Sequence, residues 1–207
     1  MVRLIDLGMQ KLEVMLSEMA KEAINSMNML ASFKKGETAR KLKEISRKLK
    51  RLKEEVGEIV LEIIARYQPM ASDLRFVKSS LEISYDLYRI SRYSYDIALA
   101  LDDADVSLEE CMEPEVQENM LRVKEMLDLA IKSILGKEEG LAYKIKQMDQ
   151  QVDKAYRDYF NKALEFKGGR CTVANLLIMR YLERLADHCS YIADEVLFIV
   201  KGIYEQE

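Results

Sequence analysis

Apolar residues recur at three- and four-residue spacing along almost the whole chain, and the only prolines that interrupt them are Pro69 and Pro114. This spacing puts one or two apolar side chains per turn on a single face of an α-helix. No segment alternates with period two over a useful length, so the chain is predicted to be all-α. Six long helices are expected, over about residues 2–31, 39–67, 70–102, 114–135, 140–165 and 172–202. The first carries Leu4, Leu7, Leu12, Met15 and Met19; the second carries Leu42, Ile45, Leu49, Leu52, Val56, Ile59 and Ile63 on one stripe. Pro69 sits where a helix can begin, because the first helical residue has no partner for its N–H. Breaks are expected at Ser32 to Thr38, in the acidic stretch from Asp102 to Pro114, between Gly136 and Gly140, and at Gly168-Gly169. The twelve methionines suit gaps between packed helices.

Three long helices, a break and three more suggest duplication. An offset of 95 residues pairs Arg75 with Arg170, Leu81 with Leu176, Ile83 with Ile178, Leu87 with Leu182 and Arg89 with Arg184. It also pairs Ile97 with Ile192 and Ala98 with Ala193, and conservatively Ile90 with Leu185 and Leu101 with Val196. The expected architecture is two tandem three-helix bundles, 1–103 and 104–207, related by an internal repeat.

Composition removes whole classes of function. The longest apolar runs are five residues, Ile97 to Leu101 and Val196 to Val200; a membrane span needs about 20. Arg3, Asp6, Lys11 and Glu13 leave no apolar signal segment at the N-terminus. Cys111, Cys171 and Cys189 are odd in number and lack CxxC spacing, so reduced thiols and a cytoplasmic location are expected. With His188 the sole histidine, a three-histidine zinc site is impossible in one chain, and Leu185 stands where a Glu-x-x-His di-iron motif needs glutamate. No phosphate-cradling glycine loop is present. His188 itself reads as hydrogen-bonded scaffold beside a core position, and Tyr85, Tyr88, Tyr93 and Tyr95 as helix-packing residues or an interaction surface.

A net charge of −4 argues against a nucleic-acid partner, but residues 34–53 carry ten Lys/Arg against Glu37 and Glu44. This segment, with Lys41, Lys48 and Arg51 as representatives, reads either as a contact surface for an acidic partner or anionic lipid headgroups, or as a solvated helix face. Peripheral membrane association belongs to the first reading.

The carboxylates most suited to chemistry are two i, i+4 pairs. Glu183 and Asp187 lie about 40° apart on one face of the last helix, and Asp194 follows seven residues on, with Ala186 and Ala193 beside them. Asp149 and Asp153 form the second pair. Facing one another, the two pairs make an all-oxygen site suited to Mg²⁺, Ca²⁺ or Mn²⁺, with iron also possible. With 36 acids in 207 residues, chance supplies about six such pairs, and most are solvated; Glu54/Glu58 and Glu58/Glu62 are of that kind.

Gln68-Pro69-Met70-Ala71-Ser72-Asp73-Leu74-Arg75, with Leu81-Glu82-Ile83 and Asp86-Leu87, resembles the third-helix signature of the PhoU family. Arg180 to His188, followed by Ile192-Ala193-Asp194-Glu195-Val196, resembles the family's most specific stretch. The resemblance implies a non-catalytic regulator of phosphate uptake built from two three-helix bundles. It implies carboxylate motifs that hold iron, zinc or another metal, a homodimer, and contact with the ATPase subunit of a phosphate ABC transporter and with a sensor histidine kinase. Carried onto this chain, Asp149/Asp153 and Glu183/Asp187 keep the motifs. At the matching first-repeat positions, 96 residues back for Asp149/Asp153 and 95 back for Glu183/Asp187, stand Lys53/Gly57 and Tyr88/Arg92, so that site has lost its carboxylates. Lys53 and Arg92, paired with Glu54 or Glu58, are expected to replace the cation there. Two other functions compete: a metal-free helical adaptor, and a metal-dependent hydrolase or oxidase using the same carboxylates.

Overall fold

In the computed structural model, residues 3–105, 111–165 and 169–204 are described. Among them are six helices and no strand: α1 (Leu4–Ala31), α2 (Glu37–Tyr67), α3 (Ala71–Ala104), α4 (Pro114–Gly136), α5 (Glu139–Glu165) and α6 (Arg170–Lys201). Each lies within two residues of its expected bounds at either end.

The ends follow local chemistry. Pro114 opens α4 at a position where its missing N–H costs nothing. Asp6 accepts a hydrogen bond from the Arg3 backbone N–H at 2.9 Å, closing the first turn of α1. Arg3 also reaches Asp73 on α3 at 2.8 Å. Helices α2, α3, α4 and α6 stop on left-handed residues, Gln68, Asp105, Lys137 and Gly202, a geometry that turns the chain away while satisfying a last carbonyl. Pro69 is not the first residue of α3. Met70 takes that helix's N-cap, and Pro69 sits in the corner after left-handed Gln68, because a residue before proline is held out of the right-handed helical region.

Helices α1, α2 and α3 pack on one another, as do α4, α5 and α6; α3 and α6 form the broad seam between the two sets, and α1 also touches α4. The repeat is a repeat of core positions. Ile83 and Ile178, Leu87 and Leu182, Ile90 and Leu185, Ile97 and Ile192, and Ala98 and Ala193 are all buried. Burying each large aliphatic member contributes about 1.5–3 kcal/mol, so the in-register matches mark the packing face and not a general helical stripe.

The seam has a readable register. His188 Nδ1 lies 2.8 Å from an Asp86 carboxylate oxygen, both residues buried, and the Tyr93 and Tyr181 rings are 6.1 Å apart. Under the 95-residue offset these two contacts are images of each other. The helices are therefore antiparallel, and a pseudo-twofold axis crosses them between Arg89-Ile90 and Arg184-Leu185. Buried serines Ser79, Ser80, Ser84, Ser91 and Ser94 keep α3 slim here, and Ser80 returns its hydroxyl to the Phe76 carbonyl at 2.8 Å. His188 is the hydrogen-bonded scaffold that its sequence position suggests.

The cysteines depart from expectation. Cys111 and Cys171 are disulfide-bonded, with Cα atoms 5.1 Å apart, an ordinary separation for such a bridge. It ties the segment before α4 to the first turn of α6. The expectation of three reduced thiols fails because 60 residues of α4 and α5 bring two distant cysteines back to one end of the second bundle. Cys189 is free and buried. No described helix is long and apolar enough to cross a membrane.

Candidate metal centre

The two carboxylate pairs do face each other. Asp149 and Asp153 stand on α5 just outside the buried Met148 and Val152. Asp187 stands on α6 outside buried Ala186, a small residue that lets α5 approach. Oxygens of Asp149, Asp153 and Asp187 all lie within 4.8 Å of one another. Glu183, one turn before Asp187, joins this electrostatic neighbourhood: burial first, then the charge of Asp187, raises its pKa.

Asp149 carries the clearest sign of unspent charge. Burial, then Asp187 and Asp153, push its carboxyl up to about 7, against a Ser190 hydroxyl that donates to it and lowers it. Asp187 is raised in the same direction, mainly by burial. Asp149 Oδ1 and Glu183 Oε2 are buried without a hydrogen-bond partner. Buried acceptors without donors are costly, and like charges gathered in a half-dry site oppose each other. A cation answers both problems at once. The donors are all carboxylate oxygens, which fits hard cations and iron; zinc also accepts such ligands. His188 is committed to Asp86 and Cys189 is fully buried, so neither adds a nitrogen or sulfur donor.

Asp194 is not gathered with the others. It lies on the same face two turns on, and its carboxylate meets Lys146 of α5 at 2.7 Å. Two residues that sequence reading passed over do belong. Arg180 binds Glu183 at 2.8 Å, and Arg184 binds Asp187 at 2.9 Å and lies 3.4 Å from Glu183. Their i, i+3 spacing to the acids was the available signal.

The first repeat is closed differently from expectation. Arg92 does not pair with Glu54 or Glu58; it binds Asp96 at 2.9 Å on its own helix and packs 4.9 Å from the Tyr95 ring centroid. Asp96 stands four residues along α3, the spacing at which an acid and a base on one helix face meet. In the basic segment, Lys41 pairs with Glu37, and Lys48 with Glu18 at 2.8 Å and Glu22 at 2.7 Å. Lys48 thus ties α2 to α1, whereas Lys41 holds a surface pair on its own helix and stays exposed, as do Arg40, Lys43, Arg47, Lys50 and Arg51.

The family model for the PhoU domain matches this chain twice, over residues 16–101 and 118–196. A curated phosphate-specific transport system accessory protein PhoU homolog from Archaeoglobus fulgidus is 32% identical over 77% of this chain and 79% of its own length. The Thermotoga maritima homolog 1 is 28% identical over 96% and 87%. Among solved structures, the phosphate transport system regulatory protein PhoU from Streptococcus pneumoniae matches with a TM-score of 0.86 at 21% identity, covering 98% of this chain and 100% of that one. PhoU from Pseudomonas aeruginosa matches at 0.73 and 24% identity over 96% of each. The duplicated helical signature, the repeat axis between α3 and α6 and these matches agree: the chain belongs to the PhoU family.

Proposed function

We propose that this chain is a non-catalytic accessory protein of phosphate transport, carrying one carboxylate metal centre in its second repeat. The supporting observation is the group Asp149, Asp153 and Asp187, with Glu183 beside it and Asp149 Oδ1 buried without a hydrogen-bond donor. Iron or zinc is the metal that the family resemblance suggests, with Mg²⁺, Mn²⁺ or Ca²⁺ compatible with the same oxygens. The bound ion would join α5 to α6 and so fix the surface of the second bundle that meets a partner. The partners would be the ATPase subunit of a phosphate transporter and a sensor histidine kinase, met by a cytoplasmic homodimer. Catalysis is not part of the proposal, because the relatives it resembles are named as accessory and regulatory proteins of phosphate transport.

A second reading, the metal-free adaptor, draws on Arg180 and Arg184, which already bind Glu183 and Asp187. Complementation separates the two. In a bacterium lacking its own PhoU protein, the wild-type chain should restore repression of phosphate uptake when phosphate is ample. Failure of the Glu183→Ala/Asp187→Ala chain to do so, at equal abundance, supports the metal centre. Full restoration by that variant would establish the adaptor, and no restoration by the wild type would count against the phosphate role.

A further inference from the structure

Arg89 and Arg184 are equivalent positions in the two repeats, and both flank the axis where α3 crosses α6. They are spent differently. Arg184 lies against Glu183 and Asp187. Arg89 forms no ion pair with a carboxylate among the described residues. Its Nη2 donates to the Tyr93 hydroxyl, and its guanidinium lies 4.8 Å from the Tyr93 ring centroid and 5.9 Å from that of Tyr85. Its Nε is buried and has no acceptor. A half-buried guanidinium normally has its donors met, because a desolvated charge is costly unless paired. Tyr93 is itself fixed, stacked on His188 at 5.7 Å. The same phenol lies in the electrostatic surroundings of both Arg89 and Arg184. Arg184 is the image of Arg89 across the repeat axis, so the seam carries a second cation on the facing helix, held there by Glu183 and Asp187.

We infer that Arg89, Arg184 and the Tyr93 hydroxyl form a site for a free tetrahedral oxyanion, of which inorganic phosphate is the type, and that a cation on Glu183 and Asp187 opens it. The inference rests on the metal centre proposed above for its gate, though not for its anion-binding groups. A carboxylate ligand presents both oxygens along one edge, whereas a tetrahedral oxyanion can meet guanidinium forks from two sides. Without a cation, Glu183 and Asp187 occupy Arg184. A bound cation takes their lone pairs and repels the guanidinium, which leaves Arg184 free to turn to the seam beside Arg89. Cation and anion then raise each other's affinity by the same factor.

Equilibrium dialysis of the full chain against labelled inorganic phosphate tests this. Wild-type protein should show a single saturable site, about tenfold tighter with the metal present than without. Arg89→Met should abolish that site with metal content and helicity unchanged, and Arg89→Lys, which keeps the charge and loses the fork, should retain only part of it. Asp187→Asn removes the charge of the nearer of the two carboxylates that hold Arg184 and so loosens its grip with no metal needed; the metal-free variant should bind phosphate more tightly than the metal-free wild type. Tight binding by metal-free Asp187→Asn protein, beside a wild type that takes up no metal, would uphold the oxyanion site and overturn its gate. Absence of saturable binding to Asp187→Asn protein, or undiminished binding by Arg89→Met, would overturn the site itself.

Discussion

Replacing Asp149 by asparagine should stabilise the metal-free protein and weaken the metal-loaded one. Asp149 has its pKa pushed to about 7 from an ordinary 3.8, so the folded chain holds a proton that the unfolded chain has released. Stability therefore falls as pH rises between those values, and the full cost is present above pH 7. At about 1.4 kcal/mol per tenfold change in proton affinity, the upper bound is about 4 kcal/mol. The side chain is only partly buried and solvent screens part of the repulsion, so roughly 2 kcal/mol is expected. For a chain of this size that is a rise in Tm of about 4–8 °C. Calorimetry of chelator-treated Asp149→Asn and wild-type protein at pH 8 and pH 4 makes the comparison. The gain should appear at pH 8, vanish at pH 4, and change sign at pH 8 once metal is added, because the variant has lost a charged ligand. An unchanged or lower Tm for the metal-free variant at pH 8, or an equal gain at pH 4, would refute the reasoning.

Reduction of the Cys111–Cys171 bridge should destabilise the second bundle by about 2–4 kcal/mol, as expected for a cross-link closing a loop of this length; denaturant melts with and without reductant, beside Cys111→Ser, measure it, and superimposable melts would count against the bridge. Gln68 holds φ 46° immediately before Pro69, so Gln68→Gly should raise stability by about 0.5–1 kcal/mol, read from the urea midpoint. Metal affinity should fall steeply below pH 7, because binding must displace the Asp149 proton; titrations that are flat between pH 6 and pH 8 would contradict this. Removing the exposed half of the Arg92–Asp96 pair by Arg92→Met should cost no more than about 1 kcal/mol and leave metal content unchanged.

The fold was legible because a single period runs through the chain and punctuation is sparse. Helix ends fell within two residues, and the repeat could be read from the matched core positions of α3 and α6. Pro69 was misplaced because proline at a helix start and proline in the corner before one look alike until the backbone of Gln68 is seen. At the site, i, i+4 spacing put each pair of acids on one helical face, but nothing local says which faces of α5 and α6 meet. Asp194 shared the stripe with Asp187 and was lost to Lys146 across the interface. Lys41 and Lys48 looked like free surface charge, yet their partners Glu37, Glu18 and Glu22 lie a turn away or on α1. The disulfide was illegible for the same reason, since only the return of α6 to the start of α4 brings its cysteines together.

Elemental analysis of the purified chain, beside the Glu183→Ala/Asp187→Ala variant, tests the central claim most directly. The account predicts bound metal at a single kind of site, all of it lost in the variant, with none held at the Lys53, Tyr88 and Arg92 positions of the first repeat. Metal retained in full by the variant, or absent from the wild type after exposure to iron, zinc, manganese and calcium, would contradict it.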